Sequence, residues 1–416
     1  MQYVRVIISK LDVCRISSVF STYRILVYII LLLLLVKIII FIHQSTSDSR
    51  SLTSNGMMPG SHDTLEMRNF VCDAFHTPII TDASGEYRIV KLPFRQTHIS
   101  VGDTTLISQC SVSHLYHFLD LHFAWDGPIS LTVFVESSKS LFIVTNYLLE
   151  VRLCLPHALT EVTIQLVMPL LYAADCRTVL ANVSCSNFLP ASDMYRFGMR
   201  NYDSIVDYPN NLLRNVAIDA AISDYIFVVD IDMIPSSGLY NQLSEFIDKE
   251  PSGGKIAFVV PVFEMKLGSE MPVNRAALLQ MWNCGIIRPF YRNICWKCQR
   301  YTDYDKWHNL TLKSEREINV AYIAEWHDPW EPFYIVDQQA PKYDENFKSY
   351  GFNRISQVCH VNICFVTIEY SLVKSNMSKA STSECGTVYD NEMFLWLTFM
   401  SISQALYQNF PLHQLS

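Results

Sequence analysis

Residues 227–238 read FVVDIDMIPSSG, an apolar run that meets Asp230 and Asp232 and is stopped by Pro235 and Gly238. Taken from residue 225, the stretch YIFVVD has the continuous apolar character of a strand buried in a parallel sheet. Residues two apart on a strand face the same side, so both carboxylates are expected to point into one crevice. Two like charges buried together are costly unless a cation neutralises them. Hard oxygen ligands at a strand end suit Mg²⁺ or Mn²⁺, which bind one or two carboxylates together with substrate phosphates. An Asp-x-Asp alone arises often by chance, and two solvated carboxylates opening a loop are the plain alternative.

Upstream, strands alternate with helices. Residues 104–110 and 162–168 read as strands, and 129–136 (ISLTVFVE) alternates as one after Asp126-Gly127-Pro128. Between the first two, SVSHLYHFLDLHFAW repeats Leu115, Phe118, Leu119 and Phe123 at helical spacing. Residues 140–153 form the next expected helix, and Pro209 opens another, with Asn210 or Asn211 able to cap it. This order predicts an α/β fold with an open sheet and a ligand at the carboxyl ends of its strands. No G-x-G-x-x-G follows a strand and no G-x-x-x-x-G-K-[ST] is present, which argues against dinucleotide and P-loop chemistry. Downstream, 255–265 (KIAFVVPVFEM) reads as one more buried strand. Trp282, Trp296, Trp307, Trp326 and Trp330 follow, mostly as expected core residues, although exposed aromatics also stack on sugar rings.

The N-terminus sets a topology. Residues 25–42 (ILVYIILLLLLVKIIIFI) are apolar except for Lys37, near the lower length limit for a membrane-spanning helix. Arg5, Lys10, Arg15 and Arg24 precede the run with only Asp12 against them, so positive-inside bias keeps residues 1–24 cytoplasmic. The expectation is a type II single-pass protein, with an uncleaved anchor and a Ser/Thr/Gly-rich stem at 43–65. Sequons at Asn182, Asn309 and Asn376 would all be lumenal, as glycosylation of a Golgi or ER resident requires. The chain has 416 residues, half of them hydrophobic and 17% charged, with net charge −8. Disorder and a nucleic-acid footprint are both excluded by that balance.

Six segments occur in the order found in a known family: 204–217 (SIVDYPNNLLRNVA), 227–240, 258–265 (FVVPVFEM), 287–299 (IRPFYRNICWKCQ), 327–335 (HDPWEPFYI) and 343–357 (YDENFKSYGFNRISQ). They resemble the glycosyltransferase family that contains β-1,4-glucuronyltransferase 1 and the second catalytic domain of the LARGE proteins. The resemblance implies a GT-A fold, a mixed sheet flanked by helices, over residues 66–373. It implies an inverting, Mn²⁺-dependent transfer of glucuronic acid from UDP-glucuronate, with Mg²⁺ as the alternative ion. The acceptor would be a xylose-terminated O-mannosyl-type glycan on a dystroglycan-like glycoprotein, joined by a β-1,4 linkage. A LARGE-type transferase is an expected partner, and the Golgi membrane the expected location. By position, Asp230 and Asp232 match the metal pair, and Asn210, Asn211 and Arg214 with Asp230 match the nucleotide-sugar site. An Arg there suits a carboxylate or phosphate, although an N-capped helix with a surface Arg is an equal reading of the residues alone.

Glu331 is the first candidate for the general base, with Asp328 and Asp344 behind it; each is equally well read as a structural carboxylate. A carboxylated donor needs a cation near its sugar, for which Arg214, Lys266, Arg275 and Arg288 are candidates. Cys295-Trp-Lys-Cys298 has no second C-x-x-C to complete a zinc site. The family has a C-x-x-C here, which implies a structural disulfide, within the pair or with Cys284, Cys359, Cys364 or Cys385. The chain departs from the family at 372–376, where Lys374 takes the place of a metal-ligating His, and 374–416 forms a divergent tail. An ammonium cannot ligate Mn²⁺. Asp390, Glu392 or His413 could substitute; otherwise the metal keeps the two carboxylates, the diphosphate and water, with weakened affinity. The alternatives are transfer of xylose or N-acetylglucosamine from their UDP-sugars, or an impaired, membrane-anchored binding or scaffold homologue.

Overall fold

The computed structural model describes residues 79–92, 103–171, 185, 207–249, 255–310, 318–349 and 351–364, and the backbone of 367–372 and 394–397. All lie within the compact unit Asp63–Ser416. The anchor, the stem, Asn182, Asn376, Lys374, Cys385, Asp390, Glu392 and His413 fall outside the described residues. No helix among the described residues is long and apolar enough to cross a membrane.

The described residues contain thirteen strands, β1 to β13 in chain order. The first five are β1 (Ile80–Thr81), β2 (Tyr87–Lys91), β3 (Thr104–Ser111), β4 (Ile129–Phe134) and β5 (Val162–Pro169). Next come β6 (Tyr225–Val228), β7 (Ile256–Val260), β8 (Phe263–Lys266) and β9 (Ile287–Pro289). The last are β10 (Val320–Ile323), β11 (Phe333–Asp337), β12 (Thr367–Leu372) and β13 (Phe394–Leu397). The main sheet runs β1-β2-β5-β4-β3-β6-β11-β7-β12-β10, and a smaller one runs β13-β8-β9.

At the centre, β5, β4, β3 and β6 are parallel, with Leu106 opposite both Ile129 and Phe227. The chain proceeds outward from β3 to β4 and β5, then returns to place β6 on the other side of β3. That reversal is a topological switch point, where open α/β sheets bind ligands beyond the strand ends. Beyond β6 the sheet is mixed: β11 inserts antiparallel between β6 and β7, and β12 runs parallel to β7.

All six residues of β4 are buried, so the expected alternation gives way to a strand covered on both faces. The helix expected after β3 begins as a 3₁₀ turn, Val112–His117, and becomes α-helical only at Phe118–Trp125. The tighter turn shifts the apolar phase, leaving Phe123 64% exposed while Leu121 and Trp125 are fully buried. The helix at 140–153 is present as Ser138–Cys154, capped by Ser137 Oγ accepting from Ser140 N. The expected strand 255–265 is two strands in two sheets, β7 and β8, because Pro261 between them cannot donate to a ladder. Of the five tryptophans expected mostly in the core, Trp307 and Trp330 are fully buried, whereas Trp282, Trp296 and Trp326 are half-buried at its edge.

The turn into β4 depends on close packing. Asp126 is left-handed at φ 53°, and a Cβ on Gly127 would lie 2.4 Å from the Tyr240 ring. Tyr240 is itself held by its hydroxyl donating to Asp103 Oδ1 at 2.8 Å.

Candidate active site

Strand β6 ends at Val228, and the ladder carries on one residue more, with Val229 N donating to Ile107 O at 2.9 Å. Met233 N then donates to Asp230 O at 3.1 Å, which folds residues 230–233 into a turn. Asp232 therefore sits in a turn and not on the strand, so the two-residue strand period does not set its direction. Asp230 keeps a third of its side chain exposed, at 33%.

Two arginines reach Asp230. Arg214 Nη2 donates to Oδ1 at 3.3 Å, and Arg354 Nη2 lies 2.7 Å from Oδ2 as an ion pair. Asp230 thus has two cationic partners within the protein itself. Burial opposes ionisation of Asp230, but Arg354 and Arg214 together outweigh it and hold the carboxyl below the usual carboxylate range.

Arg214 belongs to the helix Asn210–Ala220 and is 4% exposed. Its Nη1 donates to Asn211 Oδ1 at 3.0 Å, and its guanidinium lies 5.3 Å from the centre of the Tyr343 ring. Pro209, not an Asn, occupies the N-cap, and both asparagines are buried inside the helix. Asn211 Nδ2 donates to Asp344 O at 2.8 Å, while Asn210 Oδ1 is buried without a hydrogen-bond partner among the described residues. One turn on, Asn215 donates to Tyr343 O and Glu345 Oε1, each at 2.8 Å, and accepts from Tyr343 N at 2.9 Å. The helix thus fastens the 343–345 loop beneath Arg214.

Arg354 opens the helix Asn353–Cys364, after a turn in which Ser349, Gly351 and Phe352 all have positive φ. Its guanidinium lies over the Phe333 ring at 4.3 Å. Burial works against its charge, but Asp230 and its neighbours more than compensate and raise its pKa. Sequence reasoning assigned Arg354 no role, although it lies in the resembling segment 343–357.

Glu331 lies within electrostatic reach of these three groups. Its backbone is pinned, N donating to Cys298 O at 2.8 Å and O accepting from Gln299 Nε2 at 2.7 Å. Burial raises its carboxyl pKa, Arg354 and then Arg214 pull it down, and Asp230 adds to the rise; the net direction is upward. Asp328 is exposed, and Asp344 turns its carboxylate into its own loop, accepting from Asn346 N at 3.0 Å and Nδ2 at 2.8 Å. Neither side chain bonds to Arg214, Arg354 or Asp230 among the described residues.

Two of the proposed donor-selecting cations are spent elsewhere. Arg275 Nη2 donates to the carbonyls of Trp307, His308 and Leu310, and its guanidinium stacks on Trp307. Arg288 pairs with buried Glu264, which also accepts from Tyr291 N at 2.8 Å. Lys266 ends β8 in the smaller sheet. Cys295 and Cys298 lie at disulfide-bonding distance of each other, as do Cys154 and Cys185. Cys359 and Cys364 are free thiols, and Cys284 is disulfide-bonded. Asn309 is exposed.

No three His, Cys, Asp or Glu among the described residues converge to hold a metal ion. The carboxylates fit a hard cation in part. Asp232 is a partly exposed oxygen donor in the turn, whereas both oxygens of Asp230 already face guanidinium groups.

A family model described as glycosyl-transferase for dystroglycan matches residues 103–374, more than half of the chain. The chain belongs to this glycosyltransferase family. Human beta-1,4-glucuronyltransferase 1 is 35% identical over 299 residues, covering 68% of this chain and 69% of that protein. The zebrafish protein of the same name is 34% identical over 305 residues, covering 68% of this chain and 70% of its own. Human xylosyl- and glucuronyltransferase LARGE1 is 26% identical over 263 residues, covering 63% of this chain and 29% of its own. The chain is thus an enzyme of the glycosyltransferase class, acting on glycans, and its mixed α/β sheet is consistent with a GT-A fold.

Proposed function

We propose that this glycosyltransferase moves glucuronic acid from UDP-glucuronate to a xylose-terminated O-mannosyl-type glycan, with inversion to a β-1,4 linkage. What supports the reading is the grouping of Arg214, Arg354, Asp230 and Glu331 beyond the end of β6, at the switch point of the sheet. An inverting displacement needs one base to take the proton of the attacking hydroxyl. Glu331 is the carboxylate in the cluster whose ionisation is held back, and it serves as that base. The arginines and the Asn210–Ala220 helix orient the nucleotide-sugar, with Asn211 bracing Arg214.

Asp232 would hold a divalent cation, Mn²⁺ or Mg²⁺, and the chemistry supplied there is neutralisation of the leaving diphosphate. The apolar run 25–42 and its basic flank support a Golgi type II topology with this body in the lumen. The family description supports a dystroglycan-like glycoprotein as acceptor, and a LARGE-type transferase is proposed as partner.

The test is transfer from UDP-glucuronate to a β-xyloside by the detergent-solubilised chain, with Mn²⁺ or with chelator, beside Asp232→Asn. Transfer that chelator and Asp232→Asn both remove is the expected result. Equal transfer in chelator would remove the metal from the reading, and transfer of xylose or N-acetylglucosamine in its place would reassign the donor.

A further inference from the structure

We infer that the stacked rings of Tyr301 and His327 form an acceptor subsite, a flat platform for the sugar that precedes the terminal xylose of the glycan. This rests on the reading of Glu331 as the base. The two rings come from different segments and lie stacked, with centroids 4.5 Å apart and planes 21° from parallel. His327 is exposed and Tyr301 partly so, and Tyr301 rests on the buried cluster that contains Trp330 and Tyr334. The Arg300 guanidinium lies over the Tyr301 ring at 4.6 Å and donates to its hydroxyl. An exposed imidazole held against a second ring offers a flat face with polar edges. The apolar C–H face of a pyranose packs on such a surface while its hydroxyls stay at the rim.

What places the platform on the acceptor side is its attachment to Glu331. Residues 298–302 and 327–331 are fastened to each other along their length. Glu331 N donates to Cys298 O at 2.8 Å, and Gln299 Nε2 donates to Glu331 O at 2.7 Å. Trp330 Nε1 donates to Thr302 Oγ1 at 3.1 Å, and the Tyr301–His327 stack adds a further contact. Trp330 N also donates to His327 O at 2.8 Å, closing a turn whose end Cα atoms are within about 7 Å. The rings are therefore one turn away from Glu331.

A base must touch the hydroxyl it deprotonates, so the terminal sugar of the acceptor lies against Glu331. The rest of the glycan leads away from that point, and the platform stands on the same pair of segments. Arg214 and Asp230 belong to other elements, the Asn210–Ala220 helix and the end of β6, which leaves the stack outside the nucleotide-sugar site.

The experiment compares kcat/KM for transfer from UDP-glucuronate to methyl β-xyloside and to a trisaccharide ending in β-xylose. The chains compared are the wild type, His327→Ala, His327→Phe and Tyr301→Leu; His327 is exposed, so its variants leave the core untouched. The wild type should prefer the trisaccharide. His327→Ala and Tyr301→Leu should lower that preference by roughly 3–10-fold through the acceptor KM, the worth of one aromatic contact. His327→Phe keeps a flat ring and should retain the preference. An equal fall on both acceptors would show that the stack only positions Glu331, and an unchanged preference, or none in the wild type, would show that no sugar rests on it. Each of these overturns the subsite and leaves the base reading standing. A wild type that transfers to neither acceptor overturns the base reading, and calorimetric binding of the trisaccharide then decides the subsite by itself. Binding weakened in His327→Ala supports it, and equal or absent binding overturns it.

Discussion

Arg354 Nη2 lies 2.7 Å from Asp230 Oδ2, joining the helix Asn353–Cys364 to the end of β6. With Arg214 on the other oxygen, one carboxylate serves as counter-charge to two buried guanidiniums. Asp230→Asn removes that counter-charge from both. The expected loss is about 2–4 kcal/mol, below the upper end for buried pairs because Asp230 is partly exposed. The sign with pH follows from its depressed pKa. The stabilisation is present above the unfolded value of about 4 and is lost as pH falls through the lower folded value. Urea denaturation from neutral to acid pH should show a stability difference between wild type and Asp230→Asn that closes at the acid end. A difference constant with pH would mean that the pair carries no linkage.

Glu331 is held the opposite way. Its pKa is raised by burial, and a base acts only when ionised, so the acid limb of the kcat/KM profile should lie above the ordinary glutamate range near pH 4.3. Glu331→Gln should reduce the rate by about 10²–10⁴-fold, the usual worth of a general base. Because Arg354 lowers the Glu331 pKa, Arg354→Gln should move the same limb to higher pH. A limb that stays in place in that variant would assign the titration to another group.

Much of this architecture is legible along the chain, for a physical reason. Strands β5 and β6 are largely apolar because parallel strands are covered on both faces, and the acidic pair is visible because it follows one of them. What is not legible is long-range. Nothing in FYIVD (333–337) announces that β11 inserts antiparallel between β6 and β7. Arg354 is one basic residue among many until the fold lays its helix against Asp230. The two-residue strand period failed at Asp232 because the chain turns at Asp230, a change that a Met233 N–H to carbonyl bond makes and a hydropathy pattern does not record. Asn210 and Asn211 looked like caps because asparagine caps helices; here Asn211 reaches across to the 344 carbonyl instead.

The turn 126–128 offers a test of packing away from the site. A Cβ at Gly127 would meet the Tyr240 ring at 2.4 Å, and that ring cannot swing aside without losing its bond to Asp103. Gly127→Ala should therefore destabilise by about 1–3 kcal/mol, the range for overpacking. Gly127→Ala combined with Tyr240→Leu should recover part of the loss in thermal unfolding. Additive losses in the double variant would place the strain elsewhere.

The Cys295–Cys298 pair bears on Glu331 through one backbone bond. Cys298 O accepts from Glu331 N at 2.8 Å, and the neighbouring Gln299 side chain donates to Glu331 O at 2.7 Å. The short loop is therefore the anchor for the carboxylate, and closing it covalently narrows where that anchor can sit. Replacing both cysteines by serine should lower kcat by up to roughly 10²-fold, since displacements of about 1 Å in reacting groups have effects of that size. KM for the donor should change far less, because Arg214 and Asp230 are held by the Asn210–Ala220 helix and β6, not by this loop. Steady-state kinetics separate the two parameters, and metal analysis of the purified protein separates a disulfide from a zinc site. Stoichiometric zinc lost in the double variant would overturn the disulfide assignment, and a KM effect equal to the kcat effect would show that the loop serves donor binding and not the base.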